Sequence, residues 1–268
     1  MDTTMKLKII QWKSTGDVSR NLEFILDRIG KTGKDSFVIF PEYSMIYPDY
    51  KDTQSFIEKS QGIGDFFIHS IQDSARKNSV EVMINFAEKS YGKPFNTSLH
   101  INSSGMISAR YSKTHLFDSY GFQESSLYRR GMNIPDPFQV SGRFLAGVEI
   151  CYDIRFPEIT RMYSLKGASI LLVQAGFYRG EMKYDTWMTM LRARAMENGM
   201  FVLAANQCGP DFLGHSTVID PYGRILAEAG EEPMDLEASV DLSIVEKYRE
   251  DVPVLNHRRK DLYEVGGL

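Results

Sequence analysis

The stretch RFLAGVEICYDIRFPEITRMYSLKGASILLVQ, residues 143–174, indicates the type of fold most clearly. Residues 143–150 form an apolar run that predicts a strand, and residues 156–166 predict a helix. A second apolar run at 169–174 predicts another strand, short and continuous enough to be buried on both faces. This strand–helix–strand order is typical of α/β domains in which helices lie outside the sheets.

The same order occurs near the N-terminus. Residues 6–12 and 36–40 predict strands, and residues 17–30 between them predict a helix with Asp17 as its N-cap. Further helices are predicted at 52–60, 65–77, 183–198 and 242–250, and further strands at 80–86, 96–101, 106–111, 200–206, 216–220, 224–228 and 237–240. No linker or internal repeat interrupts this pattern, so we expect one α/β domain covering residues 1–268.

Composition and charge exclude several classes of protein. The chain has 268 residues, 43% hydrophobic and 25% charged, which is ordinary for globular proteins. A net charge of −4 without a basic face argues against nucleic acid as a partner. No apolar run approaches the ~18 residues of a membrane span, and no secretory segment precedes Lys6. We therefore expect a cytoplasmic protein without a membrane partner.

Cysteine and histidine usage argues against a metal or a disulfide framework. The two cysteines, Cys151 and Cys208, are too few for a disulfide scaffold or a structural zinc site. No paired-histidine or clustered carboxylate–histidine pattern occurs. The sequence predicts no metal and no cofactor, and it favours a structural role for Cys208.

Three polar residues each follow an apolar strand. Glu42 follows FVIFP, Lys113 follows ARYS, and Cys151 follows LAGVEI. Ligands of α/β sheets bind beyond the carboxyl ends of the strands, so these three side chains are candidates for one site. A cysteine after a strand is also often a buried apolar residue, and Glu42 and Lys113 also suit exposed positions.

A carboxylate, a cation and a thiol together are sufficient for acyl transfer. A free thiol has a pKa near ~8.5, and a neighbouring cation favours the thiolate while a carboxylate can take its proton. The thiolate attacks a carbonyl or nitrile carbon, and a lysine ammonium stabilises the oxyanion that forms. Water activated by the carboxylate then hydrolyses the thioester.

Five motifs in the same order resemble those of the nitrilase superfamily of carbon–nitrogen hydrolases. They are FPEY (40–43), YSKTHLFD (111–118), EICYDIRFPE (149–158), LRARAMEN (191–198) and DPYG (220–223). The segment FQE at 122–124, followed by Tyr128 and Gly131, resembles a second-glutamate motif of the same family. The resemblance covers nearly the whole chain.

The resemblance implies a fold and a set of roles. The fold would be an α-β-β-α sandwich that pairs into a homodimer or a higher homo-oligomer. Glu42 would be the general base, Lys113 the oxyanion stabiliser and Cys151 the nucleophile. Glu124 would be a further catalytic residue that orients Lys113 and the substrate and assists proton transfer. The backbone N–H of Tyr152 would complete the oxyanion hole. Tyr43, Phe177 and Tyr178 are further candidates for contact with substrate, although aromatic residues at strand ends also serve packing.

Within this family, the motifs are similar to those of the amidase branch, which includes omega-amidases and deaminated-glutathione amidases. The similar segments are CYDIRFPE (151–158), LGHS (213–216) and VPVLNHRRKDLY (252–263). The implied reaction is hydrolysis of a small linear carboxamide to a carboxylic acid and ammonia. A nitrilase or an N-carbamoyl amidohydrolase with the same residues is the alternative.

Other interpretations stay open at this point. A Cys/His hydrolase would need His115, the only histidine beside a candidate site residue. A non-enzymatic binding protein would have no need for Glu42, Lys113, Glu124 and Cys151 together. Arg155 either pairs with Glu158 three residues further on or binds a substrate carboxylate; we favour the structural pairing.

Overall fold

The computed structural model describes residues 3–263, so the outermost residues of the predicted domain range 1–268 lie outside it. The strands are β1 (Thr4–Gln11), β2 (Ser36–Ile39), β3 (Glu81–Glu88), β4 (Phe95–Ile101), β5 (Ile107–Ser112), β6 (Phe138–Val140), β7 (Phe144–Ile150), β8 (Ile170–Ala175), β9 (Phe201–Asn206), β10 (Thr217–Ile219), β11 (Ile225–Glu228) and β12 (Met234–Asp241). The helices are α1 (Val18–Gly30), α2 (Thr53–Glu58), α3 (Phe66–Asn78), α4 (Pro157–Leu165), α5 (Lys183–Asn198), α6 (Ser243–Asp251) and α7 (Lys260–Tyr263).

The strands form two six-stranded sheets. The order is β12-β1-β2-β3-β4-β5 in the first sheet and β11-β10-β9-β8-β7-β6 in the second. Each sheet has three parallel strands at its centre, β1-β2-β3 and β7-β8-β9, with antiparallel strands on both sides. The strand–helix–strand units predicted from the sequence therefore form the centres of the two sheets.

Side chains that alternate along the central strands build the layers. Phe37 of the first sheet and Leu172 of the second belong to one apolar cluster between the sheets. Val38 faces the opposite way and packs in a cluster with α1 and α3, while Leu171 packs in a third cluster with α4 and α5. Both sheets are thus covered on both faces, as expected for buried parallel strands. The predicted α-β-β-α sandwich is confirmed.

Local signals located most element boundaries to within a few residues. Asp17 caps α1, since its carboxylate accepts hydrogen bonds from the backbone N–H groups of Ser19 and Arg20. Two strands differ from the sequence prediction. The strand β6 was not predicted, because its three residues at the edge of a sheet carry too short a pattern. The strand β12 is longer than predicted, because all eight of its residues pair with β1.

Two absences hold for the described residues 3–263. No helix there combines the length and the apolar character that crossing a membrane requires. No cluster of three or more His, Cys, Asp and Glu side chains there is arranged to hold a metal ion.

Replacing Gly147 with alanine is expected to lower the free energy of unfolding by about 1–3 kcal/mol. Gly147 lies on β7 against the ring of buried Tyr163 of α4, and a Cβ at this position would overlap that ring. Urea denaturation measures the change. Gly30→Ala is the matched control, because a Cβ at Gly30 meets nothing within 4 Å, and we expect no loss there. Equal stability of the two variants would contradict this account of the β7–α4 packing.

Candidate active site

The loops after β2, β5 and β7 bring Glu42, Lys113 and Cys151 together. The Lys113 Nζ lies 2.8 Å from Glu42 Oε1, and the charges of Glu42 and Lys113 both act on the Cys151 thiol. Both Glu42 and Lys113 are buried, so this ion pair is shielded from water. The convergence that the sequence could only suggest is present in the structure.

Glu124 joins this group from a short 3-10 helix, Glu124–Ser126. Its carboxylate lies 2.9 Å from the Lys113 Nζ and also accepts a hydrogen bond of 2.7 Å from the Phe117 backbone N–H. The side chains of Glu124 and Lys113 are fully buried. The ammonium is therefore shared between two buried carboxylates, which limits its orientation.

Two buried asparagines, which the sequence analysis missed, support these carboxylates. Asn96 on β4 donates from Nδ2 to Glu42 Oε1 at 2.8 Å and to Glu124 Oε1 at 3.1 Å. Asn85 on β3 donates to the Asn96 side-chain oxygen at 2.7 Å. Asparagine is uncommon in strands, so one asparagine in each of two predicted strands was the signal available in the sequence.

The backbone at Cys151 and Tyr43 has an unusual conformation. Their φ angles of 47° and 62° lie in the left-handed region that most residues avoid. Asp153 holds the turn after Cys151, since its carboxylate accepts hydrogen bonds from the Ile150 N–H at 3.1 Å and from the Tyr111 hydroxyl at 2.7 Å. The turn places Cys151 beyond the end of β7, where its side chain faces the cavity.

Position 176 must be a glycine, because the Tyr43 ring lies too close to leave room for a side chain. Gly176 follows β8, and its backbone N–H donates to Glu42 Oε2 at 2.7 Å. A Cβ at Gly176 would lie 2.7 Å from the Tyr43 ring. The loop of the second sheet therefore approaches the first sheet closely enough to bind the Glu42 carboxylate.

Burial and the neighbouring charges set the pKa values of the group. Burial raises the pKa of Glu42 above its ordinary value, more than Lys113 lowers it. Burial acts to lower the pKa of Lys113, but Glu124 and Glu42 outweigh that effect and hold it well above its ordinary value. Lys113 therefore stays charged, and Glu42 is a stronger base than an exposed glutamate.

The protonation state of the Cys151 thiol differs from the sequence-based expectation, which was that the neighbouring cation would favour a thiolate. Burial, followed by the charge of Glu42, raises the pKa of Cys151 well above its ordinary value, and Lys113 only partly opposes this. Two carboxylates surround one ammonium, so the local charge disfavours a third anion. Cys151 therefore holds its proton at neutral pH and must transfer it during attack.

The thiol opens onto a small cavity with about 20 Å³ of water-accessible space, close to the volume of one water molecule. All four predicted substrate contacts line it, together with Lys113 and Cys151: Tyr43, Tyr152, Phe177 and Tyr178. Residues that were not predicted to line it also do so: Phe117, Gly176 and Lys183. The walls are largely aromatic, so a bound group would be separated from bulk water.

Arg155 also lines this cavity, and among the described residues it forms no ion pair with Glu158. Its guanidinium lies 6.0 Å from the centre of the Tyr152 ring. The structural pairing favoured from the sequence is therefore wrong. Glu158 lies exposed in the first turn of α4, which begins at Pro157.

His115 and Cys208 take no part in this group. His115 Nδ1 lies 2.9 Å from Asp153 Oδ1, and its ring stacks on Phe156 at 3.6 Å. It orders the turn after Cys151 rather than contacting the thiol, which removes the geometric basis for a Cys/His pair. Cys208 is fully buried as a free thiol, as a structural role predicts.

Glu149 is a further buried carboxyl group near Cys151, on the side of β7 that faces α4. Its Oε1 accepts a hydrogen bond of 2.5 Å from the Thr160 hydroxyl, and its Oε2 has no partner among the described residues. Burial raises the pKa of Glu149 to about 8, and the hydrogen bond from Thr160 only partly opposes this. The group is therefore largely neutral at pH 7.

Glu149→Gln is expected to remove a pH-dependent part of the free energy of unfolding. The pKa is about 8 in the folded chain against an ordinary 4.5, so the folded state binds more protons between these values. Protonated Glu149 therefore contributes its full stabilisation below pH 4.5, and this contribution is lost as the pH rises towards 8. The slope is at most ~1.4 kcal/mol per pH unit. Urea denaturation of both proteins across this range tests it, and parallel stability curves would refute it.

Comparison with known proteins agrees with this fold. The family model described as carbon–nitrogen hydrolase matches residues 7–250. The deaminated glutathione amidase of Escherichia coli O157:H7 is 31% identical over 252 residues, covering 93% of this chain and 95% of the relative. The 2-oxoglutaramate amidase of Bacillus subtilis is 37% identical over 198 residues, covering 72% and 74%.

Solved structures are similar over nearly the whole chain. The Caenorhabditis elegans NitFhit protein has a TM-score of 0.88 at 30% identity, covering 97% of this chain and 66% of that one. An amidase of Nesterenkonia sp. AN1, with the acetamide moiety of fluoroacetamide on its active-site cysteine, has a TM-score of 0.81 at 25% identity, covering 97% and 95%. This chain belongs to the carbon–nitrogen hydrolase family, and the resemblance found in its sequence is confirmed.

Proposed function

We propose that the chain is an amidase that hydrolyses a small linear carboxamide through a thioester on Cys151. One observation carries this proposal: a buried ammonium, Lys113, is shared by the carboxylates of Glu42 and Glu124 and lines the same cavity as the Cys151 thiol. That arrangement supplies a nucleophile, a base and a cation at the base of one cavity. Acyl transfer to sulfur needs these three groups and no cofactor.

In the acylation step, Glu42 takes the thiol proton as the Cys151 sulfur attacks the amide carbon. The raised pKa of Glu42 suits this transfer, because the thiol does not ionise beforehand. Lys113 and the backbone N–H of Tyr152 stabilise the oxyanion of the tetrahedral intermediate. Protonated Glu42 then gives its proton to the nitrogen, the C–N bond breaks, and ammonia leaves.

In the deacylation step, Glu42 takes a proton from water as the water oxygen attacks the thioester carbon. The C–S bond then breaks, the proton returns to sulfur, and the carboxylic acid departs. Glu124 and Asn96 act as positioning residues, because they contact Lys113 and Glu42 rather than the cavity. Tyr43, Phe177 and Tyr178 form aromatic walls around the acyl group.

An amide is supported better than a nitrile or a carbamoyl compound. Two relatives are named deaminated glutathione amidase and 2-oxoglutaramate amidase, and glutaramates are amides whose chain ends in a carboxylate. Arg155 lines the cavity without an acidic partner among the described residues, so it is available to such a carboxylate. The proposed substrate is therefore a linear primary amide with an acidic far end.

Product analysis tests this function. The purified chain is incubated separately with glutaramate, the matching nitrile and an N-carbamoyl amino acid, and ammonia and carbon dioxide are measured. We expect ammonia without carbon dioxide from glutaramate, and an acyl adduct on the peptide containing Cys151 after acid quenching. Ammonia from the nitrile alone, or carbon dioxide from the carbamoyl compound alone, would assign the alternative reaction. Hydrolysis of glutaramate with an adduct on another residue would refute the role of Cys151.

We also propose a homodimer or higher homo-oligomer in the cytoplasm, without nucleic-acid or membrane partners. Exposed apolar side chains on neighbouring helices support the assembly: Met162 and Leu165 on α4, and Met196 on α5. Two free cysteines suit a reducing compartment, and the net charge of −4 does not favour nucleic acid. Light scattering of the purified chain tests the assembly, and a monomeric mass would overturn it.

A further inference from the structure

The cavity has two cations besides Lys113. Lys183 and Arg155 both line it, and both are half-buried. Neither lies within ion-pair distance of an Asp or Glu side chain among residues 3–263, whereas Lys113 contacts two buried carboxylates. The charge of Lys113 is thus balanced inside the protein, and the charges of Lys183 and Arg155 are not. Unbalanced cations along an apolar cavity attract anions into it.

Two aromatic rings hold the Lys183 ammonium beside the cavity. Its Nζ lies 4.4 Å from the centre of the Tyr120 ring and 5.6 Å from that of Phe177. Phe177 is one of the cavity walls, and Tyr120 is largely exposed and therefore free of a core-packing role. Cation–π contacts of this kind orient a charge without neutralising it. The ammonium is therefore positioned and remains available to a ligand.

Lys183 stands at a helix N-terminus, a position where a positively charged side chain is unfavourable. It is the first residue of α5, a 16-residue helix, and its N-cap Met182 makes no side-chain capping bond. A lysine at a helix N-terminus opposes the positive end of the helix dipole, so this choice is unfavourable for the helix itself. Such local conflicts occur at functional sites. Here the helix N-terminus and the lysine add to the same positive potential, which Asp185 in the first turn only partly offsets.

We propose that Lys183 is a specificity-determining residue that acts with Arg155 to select amides whose acyl chain ends in a dianionic group. One carboxylate balances one cation, so two unbalanced cations suit either two carboxylates or one phosphoryl group. The inference rests on the proposed amidase activity and refines it. Glu42, Lys113 and Cys151 act on the amide, and Lys183 and Arg155 bind the opposite end.

A series of primary amides with a common three-carbon chain tests the proposal. Pentanamide is neutral, glutaramate carries one charge, and 4-phosphonobutanamide carries two at a pH where the phosphonate is fully ionised. A chain ending in a malonate supplies the second charge as a carboxylate. In the wild type, kcat/KM should be about 10-fold higher for at least one dianion than for glutaramate, mainly through a lower KM. The better dianion identifies the type of group.

Lys183→Met keeps the length of the side chain and removes its charge. The ratio of kcat/KM for the dianion to that for pentanamide should fall by about 10-fold, and any general effect on the enzyme cancels in this ratio. Lys77→Met is the matched control, because Lys77 is an exposed lysine of α3 that does not line the cavity. It should leave every ratio unchanged.

The outcomes separate the two proposals. If glutaramate is hydrolysed but neither dianion is preferred, or if the preference survives in Lys183→Met, the role of Lys183 is overturned while the amidase proposal stands. If no member of the series is hydrolysed, the amidase proposal fails, and the role of Lys183 fails with it. A dianion preference that Lys183→Met removes and Lys77→Met retains supports the inference.

Discussion

Cys151→Ala is expected to lower kcat for ammonia release from a glutaramate substrate by about 10⁴-fold or more. The thiol forms the covalent bond of the proposed mechanism, and no neighbouring group can replace it: Lys113 stays charged and Glu42 is bound to it. Binding and oxyanion stabilisation alone would account for the residual rate. Ammonia release at saturating substrate measures the change.

Cys208→Ala is the matched control for the loss at Cys151. Cys208 is the other cysteine of the chain, fully buried and absent from the cavity lining, so its replacement should leave kcat within about 2-fold. Cys151→Ser adds a second comparison, because it keeps a group of similar shape that can lose a proton but is a poorer nucleophile. Retention of activity by Cys151→Ala in a folded protein would show that the nucleophile lies elsewhere.

Glu42→Gln is expected to lower kcat by about 10³-fold. The variant keeps the shape of the side chain but cannot take the thiol proton, and the raised pKa of Cys151 leaves almost no thiolate without a base. The wild-type rate should fall as pH decreases through the pKa of Glu42, which burial raises above the ordinary glutamate range. The residual rate of the variant should lack this fall, and rate profiles across pH measure both effects.

Glu149→Gln provides the control for Glu42→Gln. Glu149 is also buried and lies two residues from Cys151, but it faces α4, and its pKa of about 8 leaves it largely neutral at pH 7. We expect its kcat to stay within about 3-fold of the wild type at that pH. If both glutamine variants lost the same activity, general damage around Cys151 would explain the loss better than removal of a base.

Part of the site could be predicted because ligands of α/β sheets bind beyond the carboxyl ends of the strands. Glu42, Lys113 and Cys151 lie within two residues of the ends of predicted strands, and such positions converge when the strands share one end of a sandwich. Short apolar runs likewise predicted the central strands of both sheets, and the periodicity of apolar residues predicted the helices that cover them. These signals are local, so each could be recognised without knowledge of its partners.

The environment of each group depended on contacts between residues far apart in the chain. Asn96 binds Glu42 across 54 residues, and Gly176 binds it across 134, and neither contact has a local signature. The pKa of the Cys151 thiol also depends on such distant contacts. Its neighbouring cation predicted a lowered pKa, but burial and a second carboxylate reverse the direction.

Short segments of the sequence were sufficient to predict the layered α/β fold and the family, and to single out Glu42, Lys113, Glu124 and Cys151 as candidate site residues, because motif and periodicity are local properties. How these groups interact depends on tertiary contacts. Desolvation depends on everything packed around a group, which explains the protonated thiol and a Glu42 that is more basic than an exposed glutamate. Within residues 3–263, the lack of ion pairs at Arg155 and Lys183 depends equally on which acidic side chains stay out of reach, a fact that only the folded chain contains.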